Sequence, residues 1–500
     1  MAKLQSSATF ARGQNFYGAT ALGYGVAALV VVLCANPAAA QKSTEIEEMK
    51  QEIRALREKL NRIQGGMKAR RETSPEKHVV VTKGASPAGG AASPSLDNVS
   101  FPNGRPTLSS DNFTFGVYGR TQIDVGGYFN ESGRDFNSGW NLRRARLGAV
   151  GSVWKDFTYS LIYDFGGSPD GTGSLYEASV GYRGWKSFNF RIGAFKPFFS
   201  LEDSISSADL LFQERPSIVE IARSVAAGTA RMSAGGSWAE PGWFASAYLT
   251  GPTVGTEAND EQLGGVARVA MQPLRGTHYL LHLGASGAAV FAPTQNAAGI
   301  PGISTQTIQL RDRPELRIDS TRLIDTGLIS YSSAYTGGAE VAGHWNNLSL
   351  QAEYYTINVN QDRTLGLPSP NLTFNGYYIQ GSWIITGENR AYSTSSAAYA
   401  QPRVANPIHS GGWGTWEVVG RYSYTDLNDK DLAGLNVAAT GGVRGGEQSV
   451  YAAGLNWYPN NNIRFMLNYL NGNVDRLSAA GAADIGRSFQ ALSLRTQFSF

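Results

Sequence analysis

The chain has 500 residues, of which 17% are charged and 11% aromatic, with 59 glycines and a single cysteine. Its formal net charge of +3 conceals a slightly acidic main body: residues 111–500 hold 29 Lys and Arg against 32 Asp and Glu. That balance leaves no basic footprint for nucleic acid. The absence of any run of eighteen apolar residues excludes a transmembrane helix.

Residues 1–40 read as a signal peptide. Lys3 and Arg12 supply the positive start, 27–33 the short apolar core and Ala38-Ala39-Ala40 the small-residue cleavage pattern. Cys34 lies inside this segment, so the mature chain has no cysteine for a disulfide or thiolate metal site. Over 44–67, Ile46, Met49, Ile53, Leu56, Leu60, Ile63 and Met67 alternate gaps of three and four. This is a coiled-coil seam, expected to associate and placed in the periplasm. Residues 68–110, rich in Ala, Ser, Pro, Gly and Lys, read as a flexible linker.

From Phe113 onward the pattern becomes two-residue alternation, which places successive side chains on opposite faces of a strand. Sixteen strands are expected: 113–127, 141–153, 157–165, 175–183, 188–195, 228–238, 243–250, 263–272, 279–287, 330–343, 348–356, 376–385, 414–424, 448–457, 463–470 and 488–500. Tight turns such as Lys155-Asp156 alternate with long connections such as 196–227 and 288–329. This is the hairpin signature of an outer-membrane β-barrel, an all-β transmembrane fold over 111–500. The connection 386–413 falls on the short-turn side yet has 28 residues. Either that turn is long or it hides a further hairpin.

Parity assigns the faces. Phe157, Tyr159, Leu161, Tyr163 and Phe165 form a lipid row, while Arg120, Arg144, Arg146, Asp164, Arg191, Arg231, Arg268 and Arg495 turn inward. A charge on the lipid face near the midplane costs roughly 2–4 kcal/mol, which gives the rule its force. Arg143 shares a face with Ala145 and Leu147 and is expected to snorkel to the membrane interface. Inward charges suit a water-filled pore, or simply pair across strands and wall it.

The segment Gly193 to Ser217 is too apolar to wave in solvent and is expected to fold into the lumen. It carries Lys196, Ser200, Ser204, Ser206, Ser207 and Arg215, a reasonable set for an oxyanion. Its own acids offer internal pairs as the alternative, Lys196 with Glu202 and Glu214 with Arg215.

At this loop the sequence resembles the phosphate-selective porin O/P family. The resemblance rests on Arg-Arg-Ala-Arg at 143–146, Tyr163-Asp164-Phe165, Gly193-Ala194-Phe195-Lys196-Pro197-Phe198 and Phe212-Gln213-Glu214-Arg215. Trp416-Glu417, Gly454-Leu455-Asn456-Trp457-Tyr458-Pro459 and the terminal Phe500 extend it. It implies a sixteen-stranded homotrimer in a Gram-negative outer membrane, with Phe500 read by the barrel-assembly machinery. It also implies passive passage of small inorganic or organic anions. Lys196, Arg144 and Arg146 match the family's anion-binding cations, with Arg120, Ser200, Arg215, Arg191 and Arg231 as further candidates. Two departures set phosphate itself apart. Only Lys155, Lys186, Lys196 and Lys430 follow residue 110, where the family's periplasmic side is rich in lysine. The nearest match to its arginine ladder, Arg311-Asp312-Arg313, is interrupted by acid. The alternative is a general or cation-preferring porin whose coiled coil tethers the envelope. No cofactor is expected, and the five histidines align with no nucleophile, which argues against an enzyme.

Overall fold

The computed structural model describes residues 98–500 apart from 134, 168–170, 256–260, 294–305, 363–367 and 433. The expected signal peptide, the coiled coil and the linker up to residue 97 lie outside the described residues. The wall is a closed antiparallel barrel of sixteen strands. In chain order they are β1 Phe113–Phe129, β2 Gly139–Val153, β3 Phe157–Asp164, β4 Ser174–Trp185, β5 Phe188–Phe195, β6 Arg231–Glu240, β7 Trp243–Thr253 and β8 Leu263–Arg275. There follow β9 Tyr279–Ala292, β10 Ile324–Trp345, β11 Leu348–Gln361, β12 Leu372–Ile384, β13 Thr415–Asp429, β14 Val443–Tyr458, β15 Ile463–Asp475 and β16 Arg487–Ser499. Each pairs with its neighbours in sequence, and β16 closes on β1 from Gln490↔Phe129 to Ser499↔Arg120. Closure removes every free edge, the condition for a sheet to sit in lipid. Phe500 completes it: its N–H donates to the Gly119 carbonyl at 3.0 Å. Its ring lies where a Cβ on Gly119 would stand 2.3 Å away, so that position has no room for a side chain.

All sixteen expected strands are present, most of them longer toward the long-loop end. Alternation holds: along β16, Ser493, Arg495 and Gln497 are buried inside while Leu492, Leu494 and Phe498 are exposed outside. At the short-turn end an aromatic chain runs Trp154, Phe157, Tyr182, Trp185, Phe188, Trp238 and Trp243, ring against ring. Such girdles suit the interface because an aromatic ring bridges lipid and headgroup.

Three connections fold inside the barrel. Residues 196–230 between β5 and β6 carry helices α1 Leu201–Ser204 and α2 Ser217–Ser224. This loop crosses the lumen: Glu353 of β11 accepts from Leu201 and Glu202 N–H, while Gln213 donates to the Met466 and Ser493 carbonyls on β15 and β16. The β9–β10 connection adds a strand, Thr307–Asp312, paired back on β10. Its Glu315 carboxylate accepts from Ser217 N–H at 3.0 Å at the start of α2. The connection 386–413 is both long and a hairpin, Arg390–Ser393 with Ala398–Pro402, but it adds no stave to the wall. β12 pairs straight to β13 through Ile384↔Glu417. The hairpin enters from the short-turn end, where Arg268 donates to the Ser396 and Ala397 carbonyls at 2.8 Å.

The end of the expected linker is ordered. Val99–Ser100 pairs with Thr107–Ser109, which pairs in turn with β1 from Thr107↔Gly116 to Ser109↔Thr114.

Candidate functional site

One break in the alternation builds the site. Between β1 and β2 the register runs Gln122↔Arg144 and then Ile123↔Leu142, so Arg143 is an extra residue on β2. A bulge of this kind puts two successive side chains on one side. Arg143 therefore does not snorkel outward. It turns into the lumen and makes a bidentate pair with Glu214 at 2.7 and 3.0 Å. Parity alone could not reveal this, because a bulge suspends the parity.

Glu214 is the counter-charge of a cationic nest. Arg495 reaches it at 2.8 Å, Arg144 at 3.4 Å and Arg317 at 3.5 Å. Burial by itself would raise its pKa. The surrounding guanidiniums win and hold the carboxyl well below the usual range. Glu214 thus pairs with wall arginines rather than with Arg215. Lys196 faces Asp203, 3.9 Å from its Oδ1, rather than Glu202.

Beside this nest lies a cavity of about 370 Å³, opening toward the long loops. Seven cations line it: Arg143, Arg144, Arg146, Lys196, Arg215, Arg223 and Arg317, against the acids Asp164 and Glu220. Arg146 donates from Nε to Asp164 at 2.7 Å, and its guanidinium carbon lies 3.5 Å from the ring centre of Tyr176. The Lys196 ammonium donates to the Asp203 and Ile205 carbonyls, and burial pushes its pKa down to about 8. Arg215 donates to the Glu202 and Ile205 carbonyls at 3.1 and 2.7 Å.

The floor of the cavity is Ser207. Its Oγ accepts from Arg146 at 3.3 Å and from Arg120 at 2.8 Å, while Arg120 also donates to Ser206 at 3.1 Å. Arg120 and Arg146 are direct cross-strand partners. Like charges in that relation repel. Among the described residues Arg120 makes no ion pair, and its buried Nε has no hydrogen-bond partner. On the far side of Ser207 a second cavity, of about 1000 Å³, opens toward the short turns. Arg105, Arg120, Arg183 and Arg403 line it, with Asp209 as its acid.

The structure thus brings Arg144, Arg146, Lys196 and Arg215 onto one cavity and sets Arg120 at its floor. It does not bring the other three candidates there. Ser200 is fully buried as the cap of α1, its Oγ accepting from Asp203 N–H at 3.3 Å and from the Tyr355 hydroxyl at 2.7 Å. Arg231 donates to the Ser224, Ala227 and Gly251 carbonyls, closing the end of α2. Arg191 is occupied by Glu177 and Ser179 of β4. Sequence reading missed Arg143, Tyr176, Arg223 and Arg317. Tyr176 is the extra residue of a second bulge, on β4 where Ile162↔Glu177 gives way to Tyr163↔Leu175, so it turns inward against the parity and was hidden in the same way. The cations of the short-turn cavity are arginines, which a comparison of lysines alone does not register.

Residues 115–500 match the family described as Phosphate-selective porin O and P. Porin O of Pseudomonas aeruginosa is 25% identical over 394 residues, covering 75% of this chain and 87% of that protein. An uncharacterized protein of Caulobacter vibrioides is 29% identical over 380 residues, covering 73% of this chain and 70% of the relative. Among solved structures, the anion-selective porin from Comamonas acidovorans covers 78% of this chain and all of its own, at 13% identity and a TM-score of 0.45. OmpT of Vibrio cholerae covers 79% of this chain and all of its own, at 9% identity and a TM-score of 0.47. With the family match spanning the whole sixteen-stranded wall, the chain belongs to the phosphate-selective porin O and P family and is an outer-membrane porin, a channel rather than an enzyme.

Proposed function

We propose that the protein passes small anions, inorganic phosphate among them, through a path narrowed by the 196–230 loop. The observation that carries this is the Arg120–Arg146 pair across Ser207. Two guanidiniums that donate to one hydroxyl, with the single carboxylate of Asp164 in contact with the pair, leave an excess of positive charge where the two cavities approach each other. A passing anion relieves that repulsion, and a cation increases it. The slightly acidic barrel does not oppose this, because charges beyond about 8–10 Å are screened in salt and the local set decides.

A homotrimer is part of the proposal. β3 and β5 have 8 residues each. Such strands rise about 26 Å, and tilted by ~40° they span roughly 20 Å of a ~25 Å apolar band. A wall that low, carrying Leu161, Tyr163, Val180 and Ile192 outward, fits a neighbouring copy better than lipid. The expected passage by the assembly machinery through Phe500 belongs with this reading.

A general porin is the second reading, favoured by the many ion pairs of the cavity cations with Asp164, Glu214 and Glu220. Planar-bilayer recording in a KCl gradient separates the two. The anion reading expects a reversal potential on the chloride side and block of chloride current by phosphate; a potential on the potassium side overturns it.

A further inference from the structure

We infer that Arg105, delivered by the segment ahead of the barrel, is a specificity-determining residue that gathers small anions at the short-turn mouth of the pore. This rests on the anion reading and extends it to a part of the chain outside the sixteen strands.

The segment is fastened at several points. Val99 pairs with Leu108 and Thr107 with Gly116. Val117 N–H donates to the Pro106 carbonyl at 3.0 Å, and Asn462 Nδ2 donates to the Asn103 carbonyl at 2.8 Å. These bonds continue the sheet beside β1 just where β16 has ended, so the chain is tied to the barrel rim rather than hanging from it.

What it carries inward is one guanidinium. Gly116 faces the lumen, and a Cβ there would meet Arg105 Cδ at 3.1 Å. The missing side chain is the bed on which the Arg105 stem lies. From it the guanidinium reaches Tyr118, 5.8 Å from the ring centre, and Arg120 lies 5.5 Å from the same ring. Tyr118 thus links the mouth cation to the cation beneath Ser207. Arg105 makes no ion pair among the described residues, and Arg120 is more than nine-tenths buried with its Nε unpartnered. Both line the second cavity. Two guanidiniums in contact with no described carboxylate, in a recess whose single acidic side chain is Asp209 against four arginines, attract a small oxyanion or halide.

A cation at one mouth acts by raising the local anion concentration, so its effect depends on salt. The screening length is about 30 Å at 0.01 M and about 3 Å at 1 M. The test compares wild type, Arg105→Ala, Arg105→Glu and Arg105→Lys as full-length protein in planar bilayers, in KCl at each of those concentrations. We expect Arg105→Ala to lower single-channel conductance about twofold at 0.01 M and little at 1 M, with Arg105→Glu lower still and Arg105→Lys near wild type. The loss should be larger when chloride is driven from the short-turn side. Equal conductance of all four proteins at 0.01 M overturns the inference, as does a loss of the same size at 1 M. Retained heat-modifiable migration shows that each variant is folded. The wild-type reversal potential judges the anion reading separately: a potassium-side potential with higher conductance in Arg105→Ala sinks that reading and keeps Arg105 as the determinant of the mouth.

Discussion

Arg120 and Arg146 stand opposite each other on neighbouring strands, and the Ser207 hydroxyl accepts from both. Only one of the two has a carboxylate, since Asp164 serves Arg146 and no described acid pairs with Arg120. Replacing either by Gln should cut the chloride-to-potassium permeability ratio by about threefold to tenfold, equivalent to ~0.7–1.4 kcal/mol. Reversal potentials in a salt gradient check this. Replacing Arg191, whose charge is already met by Glu177, should change the ratio little.

The pH dependence follows from Lys196. Its pKa is lowered to about 8 by burial, so the ammonium is charged at pH 7 and mostly neutral at pH 9. Anion preference should therefore fall as pH rises through 8. Arginine stays charged over that range, so Lys196→Arg should flatten the profile. A wild-type ratio constant from pH 7 to 9 would remove Lys196 from the path.

Glu214 fastens the inward loop to the wall. Its carboxyl is held below the usual range, so it stays ionised through mild acid. The stability it gives is fully present above the ordinary glutamate pKa and is lost only as pH falls through the lowered one. Glu214→Gln leaves Arg143, Arg144, Arg317 and Arg495 short of their shared counter-charge. Removing one partner of a buried pair typically costs about 3–5 kcal/mol. The variant should unfold at lower temperature in heat-modifiability gels and show noisier open-channel current.

The hairpin at 390–402 fills lumen that the wall leaves free. Arg390 pairs with Glu417 at 2.9 Å and donates to the Asp209 carbonyl of the inward loop. Replacing 390–402 by a short Gly-Ser turn, together with Glu417→Gln so that this carboxylate is not left without Arg390, should raise single-channel conductance. An unchanged conductance would mean that the hairpin lies off the ion path.

Most of the wall was legible because lipid penalises every misplaced charge, which forces alternation along each strand except where a bulge interrupts it. The loop from Lys196 was legible too, since Phe199, Leu201 and Phe212 have nowhere to hide except inside. Of the candidate site, the inward placing of Arg120, Arg144 and Arg146 was legible from the alternation, and that of Lys196 and Arg215 from the apolar loop that carries them. Arg143 is turned by a bulge. Arg317 arrives from a connection more than a hundred residues downstream, and no periodicity links it to β2. Ser200 shows the opposite failure: a serine before Leu201-Glu202-Asp203 also reads as a helix cap, and that is the role its buried hydroxyl fills.

The extra residue at 143 has a consequence for how such a pore can change. Substitution on a strand alters one side chain, and a register slip would turn a whole row from water to oil. A single insertion absorbed in a bulge does neither. It adds one cation to the lumen and leaves Leu142, Ala145 and Leu147 pointing outward as before. Deleting one residue here would withdraw that charge with equal economy. The barrel therefore has a means of adjusting its inner charge by length, one residue at a time, with its outer surface untouched.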